Sequence, residues 1–283
     1  MKYRRGYRSE NTEYRGASRG AKVGAGAGGL GILGILIALL AGALGGGGGD
    51  GGLGGLDLGL GTPTEVDDGS GASELPPRND FLEFVFDDVQ AFWVDTFAAS
   101  GSPYQEARFV IFDQSVETGG CGPATSAVGP FYCPADGFVY LDQAFFDDLA
   151  TRFGAPGDFA QAYVIAHELG HHVQNVVGLS SEVRRLQQER PNEANGLSVN
   201  TELMADCLAG VWAHSADERG LLERGDLAEG LEAAAAVGDD RIQQAATGQI
   251  NPHTWTHGSS AQRMEWFSAG FETGSAEECD TFG

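Results

Sequence analysis

In this chain of 283 residues, a stretch of 27 residues, 23–49, contains no charged side chain. Its centre, 30–44, consists of Leu, Ile, Ala and Gly. A helix needs about 20 apolar residues to cross a bilayer, and the stretch reaches that length only with its flanking Gly and Ala residues. Basic residues cluster on its N-terminal side, which the positive-inside rule places in the cytoplasm. The stretch therefore predicts a single-pass protein of the cell membrane, with a cytoplasmic N-terminus and an extracytoplasmic main domain.

Two other interpretations of this stretch stay open. A cleaved signal peptide would use the small residues Ala41-Gly42-Ala43 as its cleavage pattern, although the preceding 22-residue segment is long for such a peptide. A soluble Gly-rich tail is the third interpretation. With an anchor, the chain divides into a basic cytoplasmic tail at 1–22, a transmembrane signal-anchor at 23–45, a Gly-rich linker at 46–79 and one domain at 80–283.

Charge is distributed unevenly along the chain. Residues 1–22 hold seven of the 17 basic residues and only two acidic ones. The remainder carries ten arginines, no lysine and 38 of the 40 acidic residues. Phosphate binding requires a basic surface, so this balance argues against a nucleic-acid partner.

The four cysteines all follow the uncharged stretch. An even number of cysteines in an exported domain indicates disulfide bonds. Four cysteines allow three pairings, between which the sequence does not choose. One of them joins Cys121 to Cys133 across a short loop and Cys207 to Cys279 near the C-terminus.

Hydrophobic periodicity predicts an α+β fold in which helices dominate. We expect helices at 80–98, 142–153, 158–177, 180–189, 198–214, 226–246 and 259–272. Strands are expected at 107–113 and 138–141. The second strand precedes the helix at 158–177, and its edge could pair with an extended peptide.

The helix at 158–177 contains the motif H-E-x-x-H, with His167, Glu168 and His171. Residues i and i+4 lie on one helical face, so both imidazoles can bind the same metal ion. Glu168 would then reach the open position of the metal and polarise a water molecule there. His172 points away from this face, which predicts a structural role.

A catalytic zinc site needs a third protein ligand, and the helix at 198–214 offers two acidic candidates. Glu202 and Asp206 are again spaced i and i+4 on an otherwise apolar helix. Buried carboxylates require partners, which a zinc ion and a ligand imidazole would provide. We therefore expect Glu202 as the third ligand and Asp206 as the hydrogen-bond acceptor of His167. Acidic residues favoured by the dipole of a helix N-terminus are the simpler alternative.

At these residues the chain resembles the neutral zinc metallopeptidases of bacteria, a family with a short N-terminal membrane segment. The resemblance covers roughly 80–275. The matching segments are 129–134, 140–142, 167–175, 202–212 and 256–263, and they include every residue that the zinc chemistry needs. The resemblance implies a zincin-like metallopeptidase domain, with a small sheet packed on the active-site helix and a zinc site of two histidines and a glutamate. The long Gly-rich tether and the strong acidity are not marks of the family.

These observations predict a Zn²⁺-dependent metalloendopeptidase that acts on a peptide or protein substrate. Zinc held by His167, His171 and Glu202 would activate a water molecule, with Glu168 taking its proton. A further donor should stabilise the oxyanion. His257 and Arg263, both in the last matching segment, are candidates, although each also suits a helix cap or a surface position.

Two other functions stay open at this point. The domain could be a membrane-tethered binding module with a structural or vestigial zinc site. Structural zinc sites have four protein ligands, so His257 as a fourth ligand would favour that function. Zinc-dependent hydrolysis of a bond other than a peptide is the second possibility.

Overall fold

The computed structural model describes residues 1–16 and 75–283. The described residues form eight α-helices: α1 (Asp80–Ala99), α2 (Ala144–Thr151), α3 (Asp158–Val176), α4 (Leu179–Glu189), α5 (Ala194–Glu218), α6 (Asp226–Ala236), α7 (Asp239–Thr247) and α8 (Ser260–Thr273). They also form six short strands: β1 (Thr12–Arg15), β2 (Arg108–Phe112), β3 (Ser115–Glu117), β4 (Pro123–Thr125), β5 (Phe131–Cys133) and β6 (Phe138–Asp142). The predicted α+β class with dominant helices is confirmed.

The main sheet has the strand order β1-β2-β6-β5. Strands β1, β2 and β6 run parallel, whereas β5 is antiparallel to β6. Strand β6, predicted at 138–141, therefore lies inside the sheet, with β2 on one side and β5 on the other. The prediction that its edge binds a peptide is wrong, because both edges already carry strand partners. Among the described residues, the outermost strand on that side is β5, which the sequence analysis missed.

Helix α3 is the central element of the fold. It packs against α1, α5 and α6 and also contacts β5. Fourteen of its residues are buried, including Phe159 and Tyr163. Such a helix is apolar on most of its surface, because burial on several sides leaves little room for a polar face. The H-E-x-x-H motif thus lies on the most enclosed helix of the domain.

Helices α5 and α8 approach each other closely enough for their backbones to touch. A Cβ atom on Gly210 of α5 would lie 2.1 Å from the carbonyl oxygen of Phe267. One on Gly270 of α8 would lie 1.9 Å from the carbonyl oxygen of Cys207. Only glycine fits these two positions, since real Cβ atoms do not approach other atoms so closely. This contact brings the N-terminal half of α8 next to the carboxylates of α5.

The single helix predicted at 226–246 is instead two helices, α6 and α7, separated at Val237 and Gly238. Gly238 has an extended conformation, with φ −71° and ψ 141°, so it cannot continue α6. A Cβ atom there would meet the backbone nitrogen of Ser260 at 2.4 Å. Asp239 then opens α7, and its carboxylate accepts hydrogen bonds from the backbone N–H groups of residues 256–258. The break therefore orients the loop that carries His257.

The N-terminal segment packs directly on the main domain. Strand β1 adds to the edge of β2, and the Tyr14 hydroxyl donates to Glu83 of α1 at 2.8 Å. The α-ammonium of Met1 lies 2.9 Å from the Asp158 carboxylate. Residues 1–16 and 75–283 thus form one body.

The predicted single-pass location, with tail and domain on opposite sides of a membrane, is wrong, because the two parts are in contact. Within 1–16 and 75–283, no helix combines the length and apolar composition that crossing a bilayer requires. The predicted signal-anchor at 23–45 and the linker up to residue 74 lie outside the described residues. The expectation of membrane attachment through an N-terminal helix likewise has no support among the described residues.

Both disulfides of the pairing named above are present. Cys121 is bonded to Cys133, and Cys207 to Cys279. The first joins Cys121 to the last residue of β5. The second joins the residue after Asp206 to the C-terminal segment, so each disulfide lies next to an element of the candidate site.

Candidate metal centre

Three potential metal ligands converge between α3 and α5. The Nε2 atom of His167 lies 3.2 Å from one carboxylate oxygen of Glu202, and that of His171 lies 3.4 Å from the other. One donor atom from each residue lies within 4.8 Å of the others. The i, i+4 spacing on α3 places both imidazoles on one face, as predicted, and α5 brings the carboxylate opposite them.

The Nδ1 atom of each imidazole is held by a separate acceptor. His167 Nδ1 donates to Asp206 Oδ1 at 2.9 Å. His171 Nδ1 donates to the side-chain oxygen of Gln174 at 3.0 Å, while the amide nitrogen of Gln174 donates to the carbonyl oxygen of Thr201 at 2.7 Å. The acceptors keep the proton on Nδ1 and leave each Nε2 directed at Glu202. This arrangement is typical of metal-binding histidines.

Below His167 lies a fully buried polar network, which we call the floor: Tyr163, His167, Asp206 and Arg263. Arg263 donates to Asp206 through Nε at 2.7 Å and through an Nη at 2.9 Å. The Tyr163 hydroxyl donates to the same carboxylate. Asp206 and Arg263 are both completely inaccessible to solvent. Buried charges need such pairing, because an unpaired ion in a protein interior is very costly.

The floor controls the protonation of its members. Burial acts to raise the pKa of Asp206, but the charge of Arg263 and the hydrogen bond from His167 outweigh it and lower that pKa. Burial acts to lower the pKa of His167, but the charge and hydrogen bond of Asp206 raise it to about 9. Burial raises the pKa of the Tyr163 hydroxyl well above its usual value. Asp206 is therefore an anion at neutral pH and a permanent acceptor for His167.

The other side of the site, which we call the mouth, comprises His171, Gln174 and Glu202. Here the acceptor on His171 Nδ1 is the neutral amide of Gln174 instead of a carboxylate, and 18% of the His171 side chain is exposed. Burial acts to raise the pKa of Glu202, yet the charges of His171 and His257 hold it well below its usual range. Burial acts to lower the pKa of His171, whereas the charge of Glu202 raises it.

Glu168 is buried beside the two histidines, with 3% of its surface exposed. Burial is the main reason that the pKa of its carboxyl group is raised. The charges of His171 and His167 and the backbone N–H of Tyr132 in β5 act to lower that pKa. A carboxylate with a raised pKa at a cavity is suited to accept and return a proton near neutral pH.

A cavity of about 240 Å³ opens over these residues. The segment Pro130–Pro134 with strand β5 forms one wall, and helix α4 contributes another. His257 also lines it. The Nδ1 atom of His257 lies 3.3 Å from Asp239, and its Nε2 atom has no hydrogen-bond partner among the residues that the structure describes. His257 thus offers a free ring nitrogen to the cavity.

The structure brings five of the predicted site residues to this cavity: His167, Glu168, His171, Glu202 and His257. Asp206 lies beneath His167 as expected. Arg263 does not line the cavity, because its guanidinium is enclosed between Asp206 and the Val237 carbonyl oxygen. Of the two candidate oxyanion donors, only His257 therefore reaches the place where a substrate would bind.

His172 is used for packing, as predicted. Its Nε2 donates to the carbonyl oxygen of Gln105 at 2.6 Å, and its Nδ1 accepts from the Tyr132 hydroxyl at 3.0 Å. Asn175 donates to that hydroxyl as well. Burial lowers the pKa of His172, which agrees with a neutral ring. These bonds fix β5 against α3 and thereby set the width of the cavity.

Sequence reasoning missed Gln174 and Asp239. Gln174 is three residues after His171 and so lies on the same helical face, a spacing that could have revealed it. Asp239 gave no comparable signal, because its link to His257 depends on the break between α6 and α7. Burial acts to raise its pKa, but the hydrogen bond and charge of His257 lower it.

The donor set fits a zinc ion. Two imidazole nitrogens and one carboxylate are typical ligands of catalytic zinc, and both imidazoles are already oriented by acceptors on Nδ1. Among the described residues, no fourth His, Cys, Asp or Glu joins this group of donor atoms. Three protein ligands leave one position for water or substrate, whereas a structural zinc site uses four protein ligands.

Comparison with known proteins agrees with this chemistry. The model of a family described as putative neutral zinc metallopeptidase matches residues 1–282. The chain is 46% identical over 230 residues to YpfJ of Escherichia coli K12, a protein named as uncharacterized, and the match covers 80% of both chains. It is 50% identical over 190 residues to the uncharacterized protein Rv2575 of Mycobacterium tuberculosis, with 63% of both chains covered. No solved structure matches the chain significantly.

Proposed function

Because this chain belongs to the neutral zinc metallopeptidase family, we propose that it hydrolyses peptide bonds at the cavity between β5 and α4. One observation carries the proposal: His167, His171 and Glu202 converge beside the buried carboxylate of Glu168, at the base of a cavity open to solvent. A closed structural site would have no use for such a carboxylate. The three-ligand donor set therefore supports an enzyme over a binding module.

His167, His171 and Glu202 would hold the zinc ion. When bound, zinc supplies Lewis acidity, which polarises a carbonyl group and lowers the pKa of a water molecule. Asp206 and Gln174 keep both imidazoles in the tautomer that leaves Nε2 free. Arg263, through Asp206, is a positioning residue in this proposal.

Glu168 is the general base of the proposed reaction. Its raised pKa lets the carboxylate take a proton from the attacking water molecule and return it to the leaving nitrogen. As an imidazolium, with a proton on each ring nitrogen, His257 would donate a hydrogen bond from Nε2 to the oxygen of the scissile carbonyl, where negative charge develops. Asp239 holds the imidazole in place through Nδ1.

The substitution Glu168→Gln tests the proposal. Glutamine keeps the size of the side chain but cannot accept the proton, so we expect cleavage of an unstructured protein to fall by about 100-fold or more. Zinc content, measured by atomic absorption, should stay at that of the wild type. Cleavage that survives the substitution would refute the role of Glu168 as the base. Wild-type cleavage that persists after zinc chelation would refute the metallopeptidase itself.

A further inference from the structure

The wall that α4 contributes to the cavity consists of one face of that helix. Ser180, Val183, Arg184 and Gln187 line the cavity, at spacings of three, four and seven residues. Such residues share one side of a helix. Val183 is buried, and Gln187 is fixed by hydrogen bonds to the Ala194 carbonyl oxygen and the Ser198 hydroxyl. Arg184 is exposed on the same face.

Arg184 is unusual among the arginines of the domain. Eight of the ten arginines in 75–283 lie within 4 Å of a carboxylate oxygen among the described residues; Arg184 and Arg224 do not. The adjacent Arg185 pairs with both Glu182 and Glu189. Arg224 does not line the cavity. The arginine at the cavity is thus one of two in 75–283 without an ion pair to a described carboxylate.

The charges of the residues that line the cavity indicate what Arg184 could bind. Among residues 1–16 and 75–283, Arg184 is the only Lys or Arg that lines the cavity, and Glu168 and Glu202 line it too. These carboxylates would repel an acidic ligand unless a cation compensated. A free guanidinium offers several N–H donors in a planar arrangement that matches the two oxygens of a carboxylate.

We propose that Arg184 binds a carboxylate of the substrate, so that the enzyme selects peptides with an acidic side chain or a free C-terminus near the scissile bond. This inference rests on the proposed peptidase function and adds the substrate class to it. Arg184 is a specificity residue here and takes no part in proton transfer. The nearby apolar wall, formed by Val183 and Phe131, would contact the neighbouring part of the peptide.

Matched peptides test the inference on the full-length, zinc-loaded chain. One set is amidated at the C-terminus and carries Glu or Gln at each position around the cleavage site in turn. A second set compares free and amidated C-termini without acidic side chains. We expect the preferred carboxylate to raise kcat/KM about tenfold over its neutral counterpart. The advantage should shrink as NaCl is raised, because salt screens an accessible ion pair.

Two variants and one control identify the residue responsible. Arg184→Gln should abolish the carboxylate preference while cleavage of the neutral peptide is retained, and Arg184→Glu should favour Lys-containing peptides. Arg185→Gln is the matched control, because its side chain is exposed on the same helix but outside the cavity lining. Binding of the same peptides to the zinc-loaded Glu168→Gln variant, measured as Kd, provides a second readout without turnover.

The outcomes separate the two proposals. Cleavage of charged and neutral peptides at equal rates, or a preference that survives Arg184→Gln, would overturn the inference about Arg184 and leave the peptidase intact. Absence of cleavage for every peptide and every unstructured protein would overturn the proposed function. A carboxylate-dependent Kd that Arg184→Gln abolishes would still support the binding site in that case.

Discussion

The floor and the mouth of the metal centre hold the two ligand histidines by different means. In the floor, His167 donates to a carboxylate that also accepts from Arg263 and Tyr163, and every member is buried. In the mouth, His171 donates to the neutral amide of Gln174, and 18% of its side chain is exposed. One imidazole is thus fixed by charge in the interior, and the other by a single amide near solvent.

This difference shows how the site combines rigidity with access. Helices α3, α5 and α8 pack closely at the floor, where a charged network can be fully satisfied. The mouth faces the cavity, where a substrate has to enter and an ion pair would be weakened by water. Three experiments test whether the floor and the mouth differ in this way.

Removing the cation of the floor should have the largest effect on stability. Arg263→Met leaves Asp206 buried without its ionic partner, so we expect the free energy of unfolding to fall by about 3–5 kcal/mol. Urea denaturation would measure it. Arg241→Met is the matched control, since the Arg241–Glu232 pair is exposed and should contribute about 1 kcal/mol or less. Equal losses in the free energy of unfolding would show that the Arg263–Asp206 pair stabilises the fold no more than an exposed ion pair does.

Removing the zinc ion tests whether the metal links His167 of the floor to His171 and Glu202 of the mouth. A zinc ion at 100 times its dissociation constant stabilises the folded state by about 2.7 kcal/mol, which chelation should remove. Thermal unfolding with and without EDTA would measure the change. The variant His171→Ala should unfold at the same temperature with and without EDTA, because it lacks one of the three proposed zinc ligands. A shift of wild-type size in this variant would contradict the proposed site.

The smallest effect should come from the acceptors of the two Nδ1 atoms. Asp206→Asn and Gln174→Ala should both weaken zinc binding, within the range of about 10–100-fold seen for residues that orient metal ligands. We expect Asp206→Asn near the upper end and Gln174→Ala near the lower end, because only the former removes a charge. Competition with a zinc-binding dye would measure both affinities. The reverse order would show that the mouth, and not the floor, orients the site.

The parts of this structure that follow from local patterns could be predicted from the sequence. The H-E-x-x-H spacing predicted a helix with two imidazoles on one face, and α3 has that arrangement. Glu202 and Asp206 were identified because paired acidic residues on an apolar helix require partners. The roles of these residues in catalysis stay predictions until the experiments above are done.

The parts that depend on distant contacts could not be predicted. Strand β1 pairs with β2 almost a hundred residues later, and the four residues of β1 carry no pattern that identifies their partner. Strand β5 has three residues, too few for a detectable alternation. Arg263 was one of two candidates for the oxyanion donor, because its sequence position does not show that α8 turns it towards Asp206.

The position of Arg263 in the chain also sets the time at which the centre can form during synthesis. Arg263 follows Asp206 by 57 residues and His167 by 96. At about 5–20 residues per second, Asp206 waits roughly 3–11 s for the guanidinium that permits its burial. Helices α3 and α5 are complete before that, yet the carboxylate between them is still without its cation. Assembly of the metal centre therefore has to wait until α8 has been synthesised and docks on α5.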